Sequence, residues 1–177
     1  AIYFLPNTRR QKLPRTLASP KTELFVEHQL AVNAVILAAQ QHDHRLYLVE
    51  REWSTRRSKQ VLRVRPDAVF ELRAVAEVRG LLVEVDLGTE PMRTIHEKIL
   101  RYLVLARTGQ SEQLLGVGQF RVLFVVRGGE RLAAIRKVVA CETERVFWFA
   151  EIEAIRREGL WARVWLRPTG EERHSLI

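Results

Sequence analysis

Cysteine is almost missing from this sequence. Cys141 stands alone, so no internal disulfide can form and no zinc-binding Cys or Cys/His spacing occurs. A reducing compartment, by default the cytoplasm, is the expected location. Long hydrophobic runs are missing too: the longest apolar stretch, Leu30 to Ala39, is interrupted by Asn33 and falls well short of the ~20 residues that cross a bilayer. No membrane association is expected, and no charged-then-apolar leader with a small-residue cleavage site is present. Glycine-rich phosphate loops are excluded as well. Gly128 and Gly129 lack the Lys-Ser/Thr of a nucleotide loop, and the stretch from Gly116 to Phe120 precedes a strand rather than opening a helix. No acidic residue occurs before Glu23.

What is there is a chain of 177 residues, 47% hydrophobic, enough for one sizeable core and too short for two ordinary domains. The expected organisation is a basic arm over residues 1–21, then one domain over 22–177. Net charge is +8, and arginine predominates among the basic residues. Such a surface favours a polyanionic partner, because neutralising phosphates releases counterions, and the planar guanidinium fork suits phosphate oxygens. Arg9, Arg10, Lys12, Arg15 and Lys21 make the arm basic. A second cluster runs through Arg51, Arg56, Arg57, Lys59, Arg63 and Arg65. DNA is the expected partner, with Arg9, Arg10, Lys12, Arg15, Arg56, Arg57, Lys59 and Arg65 as its contacts.

Pro6, Pro14 and Pro20 mark the opening as an extended arm. Apolar residues at helical spacing predict a helix from about Thr22 to Gln41, capped by Ser19 or Thr22 and buried all round in its second half. Strands are expected over Arg45–Arg51 and Val61–Leu72, the second with Val64, Ala68, Phe70 and Leu72 on one face. Pro66 implies an edge position or a strand start. Leu81, Val83, Val85 and Leu87 alternate with Leu82, Glu84 and Asp86 in a third strand. Glu90 and Pro91 then open a helix that runs to Gly109. Phe120–Val126 follows as a buried strand, and Glu130–Cys141 as a helix that buries Cys141. Val146–Phe149, a short helix near Glu151–Arg157 and a last strand at Trp161–Leu166 complete the chain. Three strands in an antiparallel meander, then a right-handed crossover to a parallel neighbour, give an α/β fold: a mixed central sheet flanked by helices.

Glu84 and Asp86 lie two residues apart on a strand and so project from one face. Asp67, on the adjacent antiparallel strand, falls close enough to complete a three-carboxylate cluster. Crowded carboxylates repel unless a cation sits among them, and their hard oxygens suit Mg2+ or Mn2+. Because these acids stand in the most apolar strand, burying them without a metal or a basic partner such as Arg65, Lys98 or Arg101 is costly.

The strings RPDAVFEL at Arg65–Leu72, LLVEVDLGTEP at Leu81–Pro91 and EKILRYL at Glu97–Leu103 resemble the PD-(D/E)XK nuclease superfamily, with its restriction-endonuclease-like core. Within it, the chain is most similar to the replication-relaxation family of plasmid and mobile-element proteins, over roughly residues 13 to 140. LPRTLASP, ahead of the first helix, and HQLAVNAV, within it, belong to that likeness. Members typically carry a winged-helix DNA-binding segment upstream. A start at Ala1 followed by apolar Ile2, Tyr3, Phe4 and Leu5 fits its having been left out.

The resemblance implies that Asp67 and Glu84 are the metal-binding acids, that Val85 adds its backbone carbonyl, and that Glu27 supplies the acid of the first helix, with His28 as the alternative. Asp86 departs from the pattern: it stands where a lysine is expected, and it extends the acidic metal site instead. Two readings follow. Either Lys98, on the next helix, replaces that lysine and Mg2+- or Mn2+-dependent phosphodiester hydrolysis survives, or the domain is a degenerate nuclease that binds DNA or replication and relaxation proteins without cutting. Tyr102 reads as a core residue rather than a catalytic one. Trp161, Arg163, Trp165 and Arg167, alternating along the last strand, read as cover for a core edge or subunit interface rather than as a base-stacking face.

Overall fold

The computed structural model describes residues 20–40, 47–50, 64–74, 77–112, 116 and 118–177. The basic arm up to residue 19 and the cluster from Arg51 to Arg63 lie outside the described residues, while Lys21 falls in the first helix.

In chain order the elements are α1 (Pro20–Gln40), β1 (Tyr47–Glu50), β2 (Ala68–Ala74), β3 (Glu77–Asp86), α2 (Met92–Thr108), β4 (Gln119–Val126), α3 (Gly129–Glu142), β5 (Phe147–Glu151) and α4 (Ile152–Glu158). Among the described residues the strands form one five-stranded sheet in the order β1-β2-β3-β4-β5. β1, β2 and β3 pair antiparallel, and β3, β4 and β5 pair parallel. The antiparallel meander and the helical connection from β3 to a parallel β4 are those the sequence pattern implies. Each crossover contains a helix, as a parallel connection requires.

Alternation along β3 divides the core into two layers. Leu81, Val83, Val85 and Leu87 face α1, α4 and the C-terminal segment, packing with Val32, Val35, Ile155 and Trp165. Leu82 faces the other way, with Phe124 and Val126 of β4, against Ile95, Ile99 and Tyr102 of α2 and Ile135 and Val139 of α3. Glu84 and Asp86 share the Leu82 parity and therefore enter the α2/α3 side. α2 ends at Gly109, whose φ of 66° is the left-handed conformation that closes a helix without Cβ strain.

Four expectations are corrected. First, α1 is not buried all round: Ala31, Val32, Val35 and Ala39 form the buried stripe, while Phe25, Leu30 and Leu37 are 67%, 62% and 61% exposed. Its apolar residues cover more of the helix than the sheet can meet. Second, of the strand expected over Val61–Leu72, residues 61–63 lie outside the described residues, 64–67 are not strand, and β2 begins at Ala68. Pro66 has no N–H to give a ladder. The alternation is lost across it, and Val64 packs with Val69 and Leu82 rather than with Phe70. Third, Trp161–Leu166 is not a strand, although Leu166 bridges Phe149 and Trp165 bridges His174. Trp165 is fully buried with its indole N–H on the Leu160 carbonyl, and Trp161 gives its N–H to the Ala39 carbonyl at the end of α1. Fourth, Cys141 is exposed.

Candidate functional site

The end of the β2–β3 ladder creates the site. Asp67 N–H still donates to the Val83 carbonyl at 2.8 Å, but with Pro66 before it the backbone pairing stops there. Side chains take over the next peptide of β3. Asp67 Oδ2 accepts the Val85 N–H at 2.7 Å, and His28 Nε2 of α1 stands 3.0 Å from the Val85 carbonyl oxygen. His28 Nε2 is also 3.5 Å from Asp67 Oδ2. One carboxylate, one peptide carbonyl and one imidazole thus converge at the C-terminal end of β3.

Across the strand, Glu84 is 2% exposed. Its Oε1 accepts the Tyr102 hydroxyl and its Oε2 the Lys98 ammonium, at 3.1 Å. Lys98 and Tyr102 are one turn apart on α2, so one face of that helix presents both donors to the same carboxylate. The ammonium reaches further, to Glu90 at 2.9 Å. Glu90 lies between β3 and α2, where Gly88, at φ 83°, turns the chain.

Asp86 is 4% exposed and fully engaged. Its Oδ1 accepts the Gly88 N–H at 2.6 Å, its Oδ2 accepts the Arg131 Nε–H of α3 at 2.9 Å, and the same oxygen pairs ionically with Arg131 Nη2 at 2.8 Å. Arg131 also donates to the Glu90 carbonyl at 2.5 Å and to Met92 Sδ at 3.0 Å. The guanidinium therefore ties the end of β3, the following turn and the start of α2 to α3.

Charge is not fully balanced in this cluster. Burial lifts the Glu84 carboxyl to about 7 against the opposing pull of Lys98, and the neighbouring charge of Asp67 adds to the lift. Asp67 is also raised, first by burial, against its hydrogen bond from Val85 and the charges of His28 and Lys98. Burial pulls the Lys98 ammonium down, yet Glu84 and Glu90 together hold it above its ordinary range. Burial and then Glu84 push the Tyr102 hydroxyl up, so it acts as a donor. Asp67, Glu84 and the Val85 carbonyl are hard oxygen donors of the type that suits Mg2+ or Mn2+, each engaged here by a donor from the protein itself. No three His, Cys, Asp or Glu side chains among the described residues form a ready-made cage, so such an ion would draw on the Val85 carbonyl and on water.

Asp67, Glu84, Val85 and Lys98 are brought together. Asp86 is beside them but held by Arg131. Glu27 points elsewhere: it is half-exposed and paired with Arg127 at 2.7 Å, while its neighbour His28 reaches the cluster. Arg101 pairs with Glu97 at 3.8 Å. Arg65 is exposed immediately before Pro66 and Asp67. Arg9, Arg10, Lys12, Arg15, Arg56, Arg57 and Lys59 lie outside the described residues. Tyr102 is both core and site, and its spacing from Lys98 was the available sign. Arg131, 45 residues from Asp86, gave no sign in the sequence.

A mixed sheet between two helical layers, with a buried acid cluster at its antiparallel-to-parallel junction, defines the chain as an α/β protein with a polar site at a strand terminus. The sequence model of the family described as Replication-relaxation matches residues 3–119, about two thirds of the chain, and the chain belongs to that family. Membership associates it with the replication of plasmids and other mobile elements. No curated protein and no solved structure matches the chain. Among the described residues, no helix is long and apolar enough to cross a membrane.

Proposed function

We propose that this is a PD-(D/E)XK-like domain that binds DNA and hydrolyses its phosphodiesters with Mg2+ or Mn2+, in the service of plasmid or mobile-element replication and relaxation. The observation that carries the reading is Lys98. From α2 it lies on Glu84, the acid opposite Asp67, and supplies the cation that the lysine position in β3, filled by Asp86, does not. Asp67, Glu84 and the Val85 carbonyl would hold the ion. When bound, it would activate a water and neutralise charge developing on the phosphate.

The protein's own groups divide the remaining work. Tyr102 holds one oxygen of Glu84 while Lys98 holds the other, fixing the carboxylate plane. The Lys98 ammonium stays protonated and offers a donor to a phosphate oxygen in a site largely shielded from water. Arg131 keeps Asp86 neutralised, so that acid does not compete for Lys98. The basic arm and Arg65 supply phosphate contacts that set position rather than sequence preference.

A second reading, a DNA-binding adaptor without cleavage, draws on the engagement of Lys98 by Glu90 as well as Glu84. Nicking of supercoiled plasmid with Mg2+ or Mn2+ separates the two. The hydrolytic reading expects nicking that is lost in Asp67→Ala and in Glu84→Gln. Salt-sensitive DNA binding by wild-type protein with no nicking favours the adaptor, and the absence of DNA binding sinks both.

A further inference from the structure

On the sheet face turned away from Glu84, two guanidinium groups flank one indole. Trp148 of β5 is buried and packs with Leu123 and Ala150 in the α1/α4 layer. Arg121 comes from β4, two residues before Leu123, which is the register partner of Trp148, so alternation puts it on the same face. Arg167 comes from the other side of β5: Leu166 bridges Phe149 antiparallel, which sets Arg167 opposite Trp148. The two Cζ atoms stand 4.4 Å and 4.6 Å from the indole centroid, and His174 meets the ring edge-on at 5.7 Å. One nitrogen of each guanidinium is anchored to a carbonyl, Arg121 Nη1 to Leu176 at 2.8 Å and Arg167 Nη2 to Glu144 at 2.9 Å. Nearby acids are spent elsewhere, Glu171 on Arg136 and Glu172 on Arg163. Burial pulls the Arg167 guanidinium below its ordinary range, and among the described residues no carboxylate pairs with it to offset that. Both arginines remain partly exposed.

We propose that Arg121 and Arg167, held on either side of Trp148, form a second contact site for the phosphate backbone of DNA, separate from the acid cluster. This rests on the DNA-binding reading above and extends it to residues outside the basic arm. A guanidinium stacked on an indole spends its face on the ring and keeps its N–H edge for other partners. That edge fits phosphate oxygens in pairs, and a phosphate offsets the repulsion between two cations gathered on one side chain. Trp148 sets the spacing of the two forks and is too buried to stack on a base. Contacts to the backbone carry no sequence information, so the site holds DNA in place without choosing its sequence.

The test is binding of a fluorescein-labelled duplex by the full chain, read as anisotropy over a series of NaCl concentrations, with EDTA present so that no cutting intervenes. The quantity compared is the slope of log affinity against log salt, which counts the phosphates neutralised. Arg121→Gln and Arg167→Gln each lower the slope by about 0.9, and the double variant by about twice that, to the same extent on duplexes of unrelated sequence. Arg121→Lys and Arg167→Lys, which keep the charge and lose the fork, keep the slope while weakening binding. An unchanged slope in the double variant overturns the inference and leaves DNA binding through other residues standing. A slope lowered as much by lysine as by glutamine overturns it too, because lost packing around Trp148 would then be the cause. Wild-type protein that binds no duplex at low salt defeats the DNA-binding reading as well.

Discussion

Replacing Lys98 by methionine removes the ammonium and keeps an apolar stem of similar length, so it isolates the charge balance around Glu84. Burial raises that carboxyl to about 7, and Lys98 is the largest opposing influence. An acid that holds its proton more tightly folded than unfolded destabilises the fold as the proton leaves. Stability from Glu84 is therefore full below 4.5, falls as pH rises to about 7, and is level beyond. The gap corresponds to about 3 kcal/mol across that window. Without Lys98 the folded value moves higher, so the decline continues beyond about pH 7 at up to ~1.4 kcal/mol per pH unit. Urea unfolding followed by tryptophan fluorescence, from about pH 5 to pH 8, reads this directly. The two proteins lie closest at the acid end and diverge above neutrality. A constant offset at every pH would refute the argument, because it would mean that Lys98 contributes packing and no compensation of Glu84.

Tyr102→Phe removes a hydrogen bond to a buried carboxyl and should cost about 1–2 kcal/mol in urea unfolding at neutral pH, with the Glu84 transition displaced upward. Unchanged stability would mean that the hydroxyl is not needed to satisfy Glu84. Arg131→Met leaves Asp86 buried and unpaired and should destabilise by roughly 3–5 kcal/mol in the same assay. Arg131→Lys should recover only part of that, since a single ammonium cannot span Asp86, the Glu90 carbonyl and Met92.

Much of the fold was legible because its signals are local. The period-2 alternation of Leu81 to Leu87 located β3 and its two faces, and the spacing from Ile95 to Leu103, closed by Gly109, located α2. Those two elements also placed Glu84 and Lys98 within reach of each other. The rotation of α1 was not legible. With apolar residues on most of its surface, periodicity does not say which side meets the sheet, and the choice between Glu27 and His28 turns on that rotation. The C-terminal segment misled for a different reason: alternating Trp and Arg from Trp161 to Arg167 mimics a strand, yet Trp165 is buried by a turn that returns its indole to Leu160. Asp86 and Arg131 meet only through tertiary packing.

Sheet order that repeats chain order has a consequence for how the molecule is made. Each strand pairs with its predecessor in the chain, so among the described residues the sheet's pairings all join consecutive strands and keep loop-closure costs low. The first helix breaks that sequence. It leaves the ribosome early, yet the surface that receives its buried stripe includes α4, and Trp161 holds its last turn. The Glu84–Lys98–Tyr102 half lies on β3 and α2, with Tyr102 packed edge-on against Phe147 of β5. The His28 side also depends on α4 and on Trp161, so the two halves of the site draw on segments far apart in the chain.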